Sequence, residues 1–98
     1  MYEIIESETF KRWRQGLKDA QGKARIQARI RRLSLGNPGD SKALGNGISE
    51  LRIDCGPGYR VYYMRREAVV IVLLAGGDKD TQQADIDKAL AIAKDWKE

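Results

Sequence analysis

The stretch ELRIDCGPGYRVYY, residues 50–63, carries the residues of this chain best suited to chemistry. It reads as two strands joined by a Gly-Pro-Gly turn, with one arginine on each strand. Leu51 and Ile53 alternate with Glu50 and Arg52; Val61 and Tyr63 alternate with Arg60 and Tyr62. A hairpin symmetric about Gly56 sets Arg52 opposite Arg60 and Glu50 opposite Tyr62, all on the face that the apolar residues avoid. Like charges facing one another destabilise a sheet. With the two heads about 5 Å apart at an effective dielectric near 20, repulsion is roughly 3 kcal/mol. Splaying of the side chains lessens it, and Glu50 offsets part of it. A phosphate between the two guanidiniums would convert the repulsion into a bidentate clamp. The pair therefore reads either as a clamp spaced for an anion or as the coat of a solvated sheet face.

Other polar groups gather near that face. Tyr62 lies on the side of Arg60, where it could stack on a base or donate a hydrogen bond. Tyr59, beside the turn, reads as a core or edge aromatic. In GGDKD, residues 76–80, Gly76 and Gly77 suit either a sharp strand-to-helix turn or a close approach to a ligand. Lys79 falls just before the final helix, whose N-terminus also favours anions. The Gly-Pro-Gly segment is a turn and not a phosphate loop, since no helix follows it.

The elements that must position these residues follow from periodicity. YEIIE is a short first strand. Ser7 caps a helix with Phe10, Trp13 and Leu17 on its inner face. KDAQGK breaks the pattern, and a second helix spans about Ala24 to Leu35, with Ile26, Ile30 and Leu33 one turn apart. Arg25, Arg29 and Arg32 share an adjacent stripe. GNPGD stops this helix, and a loop rich in small residues runs to about Gly47. ISELRID and YRVYYMRR alternate, whereas AVVIVLLA is apolar on both faces and so belongs in the sheet interior. Asp80 caps the last helix, with Gln83 completing a capping box. Ile86, Ala89, Leu90 and Ala93 form its apolar stripe, and Trp96 packs near its end. The predicted fold class is α+β, in the order β-α-α-β-β-β-α. Its sheet is four-stranded and mainly antiparallel, with the first strand beside the fourth and the helical pair packed on one face.

Composition limits the chemistry. The 98 residues suit one domain, 1–98, with one core. No histidine is present, which removes imidazole bases and histidine ligands; with only Cys55 as a thiol, a zinc site is disfavoured, and no metal or cofactor is expected. A lone cysteine forms no internal disulfide, which suits the reducing cytosol. The N-terminus lacks the basic and apolar regions of a secretion signal, and the longest apolar run is too short to span a bilayer, so a cytoplasmic protein without membrane contact is expected. Net charge is +4 and unevenly spread: residues 1–35 hold nine Lys/Arg against four Asp/Glu, while residues 78–98 hold four against six. The basic helical part suits a polyanion such as RNA or an acidic partner protein, or it is a plain solvated surface.

ELRIDCGPGYRVYY, followed by VVIVLLAGGDKDTQQADIDKAL, resembles the addiction-module killer proteins, a HigB-like branch of the RelE/ParE toxin superfamily. The resemblance is sharpest from Glu50 to Leu90, and in element order it covers essentially the whole chain. It implies a RelE-like fold and the toxin of a type II toxin–antitoxin pair, a ribosome-dependent, metal-independent mRNA endonuclease. It also implies a cognate antitoxin, expected to be a helix-turn-helix protein, with ribosome and mRNA as the other partners. The family's basic residues match Arg52, Arg60 and Lys79, which would stabilise charge developing on the phosphate. A base must take the 2′-OH proton. Some relatives use a histidine or a C-terminal tyrosine; here Tyr62 and Glu50 are the candidates. Arg25, Arg29 and Arg32 would contact RNA or the ribosome. Two alternatives remain, a ParE-like non-enzymatic inhibitor of DNA gyrase and a basic nucleic-acid-binding module.

Overall fold

A computed structural model describes residues 1–96. The first strand, β1 (Glu3–Glu6), hands the chain to the first helix, α1 (Glu8–Gly16), through one buried residue. Ser7 Oγ accepts from Phe10 N at 3.0 Å, capping the helix, and donates to Leu74 O at 2.6 Å. The same hydroxyl thus starts α1 and ties it to the sheet; a cap of this kind is worth about 1 kcal/mol. The second helix, α2 (Ala20–Ser34), begins at Asp19, whose carboxylate accepts from Gly22 N at 3.0 Å. Four strands and a helix follow: β2 (Ser41–Gly45), β3 (Ile48–Ile53), β4 (Tyr59–Glu67), β5 (Val70–Asp78) and α3 (Gln82–Asp95).

The sheet has five strands in the order β1-β5-β4-β3-β2. β1 runs parallel to β5, and the other pairs are antiparallel. The expected neighbour of the central strand is therefore in place, while the expected four strands are five. β2 was concealed because SKALG is a short edge strand with one partner and largely exposed side chains, so burial imposes little apolar alternation on it. Two further boundaries differ. α2 starts at Ala20 rather than Ala24, because the Asp19 cap lets the helix run through Gly22. α3 is preceded by Thr81 and not capped by Asp80, and Gln83 donates to Asp87 Oδ1 at 3.0 Å instead of reaching back to complete a capping box.

The strands bury both faces of the sheet. α1 and α2 cover one face, where Phe10, Ile26 and Leu33 pack against Leu51, Ile53, Val61, Tyr63, Ile71 and Leu73. α3 covers the other, where Ala89 meets Ile48, Tyr62, Met64, Val72 and Leu74. Each large apolar side chain buried this way contributes about 1.5–3 kcal/mol. The helical pair shares one face as expected, and α3 roofs the face that carries the arginines. Among the described residues, no helix is long and apolar enough to cross a membrane.

Gly76 and Gly77 lie within β5, not in a turn, and each admits a neighbour that a methyl group would displace. A Cβ on Gly76 would overlap the Trp13 ring of α1, and one on Gly77 would overlap the Asp85 carboxylate and crowd Thr81. The pair lets the two helical layers approach the same stretch of sheet from opposite sides. Gly76→Ala should therefore lower the urea-unfolding free energy by about 1–3 kcal/mol through overpacking. An unchanged midpoint would mean that Trp13 moves aside without cost.

Candidate anion-binding site

The hairpin pairs Arg52 with Arg60 and Glu50 with Tyr62. Between the two guanidiniums stands the Glu50 carboxylate, with only 5% of its side chain exposed. Its Oε1 lies 3.8 Å from Arg60 Nε and 3.9 Å from Arg52 Nε, and its Oε2 accepts from Gln82 Nε2 at 3.0 Å. One buried anion thus offsets the repulsion between the arginines, yet sits too far from either Nε for a hydrogen bond. Both Nε atoms are buried and have no hydrogen-bond partner among the described residues. Asp40 Oδ1 is 3.3 Å from Arg52 Nε, an ion pair without the alignment of a hydrogen bond. Arg60 is fixed further by Nη1, which donates to Gly58 O at 3.1 Å and Tyr59 O at 3.2 Å.

Arg52, Arg60 and Lys79 line one open pocket of about 480 Å³ beside the Gly-Pro-Gly turn. Lys79 arrives from the β5–α3 connection, so three separate parts of the chain supply the three cations. Asp40, Asp54 and Asp80 line the same pocket, and sequence reasoning had missed all three. Asp54 follows β3 and Asp80 lies between β5 and α3, and only the folded sheet brings them to one pocket. The pocket therefore balances three cations with three carboxylates, and it offers acceptors as well as donors.

Tyr62 and Glu50 do not line this pocket. Tyr62 is fully buried under α3, so it has no ring face open to a base. Burial, followed by the negative charges of Glu50 and Asp85, pushes its hydroxyl well above the usual phenol range. It stays neutral at physiological pH and does not act as a base there. Glu50 is shielded by Gln82 and the arginines. Asp85, also buried, accepts from Thr81 Oγ1 at 2.6 Å and completes a polar layer between α3 and the sheet.

The basic stripe of α2 divides. Arg25 and Arg32 are exposed. Arg29 is a fastener: Nη1 donates to Arg52 O at 2.6 Å, and Nη2 donates to Pro38 O at 2.9 Å and Asp40 O at 3.2 Å. It holds Asp40 and the backbone of Arg52 against α2. A second latch fixes the turn. Tyr59 OH donates to Asp19 Oδ2 at 2.8 Å, which joins the hairpin to the N-terminus of α2.

Residues 12–97 match the family described as Phage derived protein Gp49-like. An "Uncharacterized protein" of Haemophilus influenzae is 51% identical over 87 residues, covering 89% of this chain and 88% of its own. A solved structure of the E. coli toxin RelE, a double arginine-to-alanine mutant in the free state, is similar with a TM-score of 0.66 at 15% identity. That match covers 89% of this chain and 96% of the other, a likeness of fold.

The Tyr59–Asp19 latch has a pH signature. The Gly22 amide, and then the Tyr59 hydroxyl, hold the Asp19 carboxyl below its usual range. Hydrogen bonding to Asp19, and then burial, raise Tyr59. A depressed carboxyl stabilises the fold above its unfolded-state pKa of about 4 and loses that contribution as pH falls through the folded value. The raised tyrosine stabilises below about pH 10 and loses its contribution as pH rises through its folded value. Tyr59→Phe should therefore flatten both limbs of a stability–pH profile measured by chemical unfolding. Identical slopes in the two proteins would remove the latch.

Proposed function

The chain belongs to the phage-derived Gp49-like family, and on that footing we propose that it is the toxin of a type II toxin–antitoxin pair. In this reading it is a HigB-like member of the RelE/ParE superfamily, acts in the cytoplasm, cleaves mRNA on the ribosome, and is held inactive by a cognate helix-turn-helix antitoxin. The observation that carries the reading is the convergence of Arg52, Arg60 and Lys79 on one open pocket. The RelE-like fold supports it.

The chemistry is an in-line transfer. The ribose 2′-oxygen attacks the adjacent phosphorus while the bond to the 5′-oxygen of the next nucleotide breaks; that oxygen takes a proton from solvent in the open pocket, leaving a 2′,3′-cyclic phosphate and a 5′-hydroxyl. Arg52 and Arg60 grip the non-bridging oxygens, and Lys79 faces the charge that builds on phosphate or leaving group. Asp54 and Asp80 are exposed in the pocket and form no ion pair among the described residues, which makes them the protein carboxylates best open to the 2′-OH proton. Glu50 serves as counter-ion, and Tyr62 as a wedge beneath α3. Arg25 and Arg32 add sequence-independent attraction to the RNA backbone, and Arg29 fixes the pocket wall.

One feature favours a second reading. The even balance of cations and carboxylates weakens attraction to a polyanion, and a non-enzymatic inhibitor of DNA gyrase needs no phosphate clamp. Mapping of mRNA 5′ ends after induction separates the two. The nuclease reading predicts new 5′ ends in translated regions, a folded Arg60→Ala variant whose cleavage falls by about 100-fold or more, and loss of growth arrest in that variant. Intact mRNA with accumulated gyrase–DNA complexes, or full toxicity in folded Arg60→Ala, would overturn it.

A further inference from the structure

The first turn of α3 reaches the arginine pair through one side chain. Gln82 Nε2 donates to Glu50 Oε2 at 3.0 Å, while Glu50 Oε1 stays 3.8 Å and 3.9 Å from the two arginine Nε atoms. A charge-assisted hydrogen bond closes at about 2.7–2.9 Å, so a movement of about 1 Å would let Glu50 capture either arginine. Both Nε–H groups are buried without a hydrogen-bond partner among the described residues, Arg52 Nε also lies 3.3 Å from Asp40 Oδ1, and Glu50 is almost wholly shielded from water. Such an arrangement needs a restraint, because an unpaired donor beside a carboxylate is costly in a dry site. Among the described residues, Gln82 is the side chain that donates to Glu50 at hydrogen-bond distance, with Tyr62 facing the same residue across the hairpin.

We infer that Gln82 is a positioning residue: it tethers Glu50 back from Arg52 and Arg60, so that the carboxylate neutralises their repulsion without drawing either guanidinium inward, away from the pocket that both line. The inference rests on the reading of this pocket as a phosphate clamp. It gives Glu50 and Gln82 one joint task and leaves proton transfer to the exposed carboxylates. It also couples the clamp to the segment that delivers Lys79, since Lys79 lies in the connection between β5 and α3 and Gln82 opens α3.

The test uses the full chain, labelled with nitrogen-15 and titrated with inorganic phosphate. Gln82→Met keeps the volume and removes the donor. Glu50 then closes on an arginine, one Nε–H resonance moves downfield and exchanges more slowly, and thermal stability is unchanged or higher. The phosphate dissociation constant rises about tenfold, the size of one charge-assisted hydrogen bond. In a Glu50→Gln background the same Gln82→Met change alters phosphate affinity less than twofold, because no carboxylate remains to close. If Glu50→Gln fails to fold, the Nε–H resonances of Gln82→Met decide the question alone. Unmoved resonances with unchanged phosphate affinity would overturn the tether. So would a loss that persists in the Glu50→Gln background, or a parent chain that binds no phosphate. None of these readouts involves RNA cleavage. A chain that shows the pattern but cuts no mRNA loses the nuclease reading and keeps the tether; one that cuts mRNA with an unaffected Gln82→Met loses the tether alone.

Discussion

A single buried carboxylate makes the arginine pair tolerable. Arg52 and Arg60 face each other across a hairpin, and Glu50 lies between them and under α3. Were Glu50 apolar, two cations would oppose each other beside a dry helix–sheet interface, and the hairpin would splay or slip in register. Were it hydrogen-bonded to both, the guanidiniums would be drawn inward from the pocket that they line. The structure occupies the middle ground, with charge compensated and neither Nε hydrogen-bonded among the described residues. The interfaces around it help to hold that state: Arg29 fixes the backbone of Arg52, Tyr59 latches the turn to α2, and Gln82 restrains Glu50.

The segment from Gly76 to Asp85 joins this electrostatic arrangement to the packing. Gly76 yields space to Trp13 on one face of the sheet, and Gly77 yields space to Asp85 on the other. Thr81 bonds Asp85, Gln82 bonds Glu50, and Lys79 and Asp80 project into the pocket. A strand end, a tight connection and a helix start are thus fixed by different neighbours within ten residues. That arrangement suits the proposed clamp, which would hold charges at set separations rather than close around a ligand.

Much of this was legible in the amino-acid order. Alternation in ISELRI and YRVYYMRR fixed the hairpin register, because the aliphatic residues sort to one face and a one-residue slip would invert every side chain. The doubly apolar run of β5 announced a strand covered on both faces. Other features left weaker traces. β2 is an edge strand whose pairing is carried by backbone hydrogen bonds, and small, exposed residues do not betray those. Tyr62 and Glu50 alternate with apolar neighbours in a way that suits solvent exposure, and only the placement of α3 over that face reveals their burial. Arg29 shares its stripe with Arg25 and Arg32, yet the loop that folds back onto it turns it into a fastener. Asp40, Asp54 and Asp80 are scattered in sequence and meet only around the closed pocket.

On the proposed reading, one phosphate of an RNA chain sits in the open pocket against both Arg52 and Arg60, on the side away from Glu50. The most direct measurement is a cryo-electron-microscopy reconstruction of the chain on a ribosome whose A-site mRNA carries 2′-O-methyl groups that block cleavage. The account predicts a backbone phosphate about 3 Å from both guanidiniums, with Lys79 facing the same phosphate group. An mRNA backbone that follows the exposed face of α2 and leaves the pocket without a phosphate would contradict it.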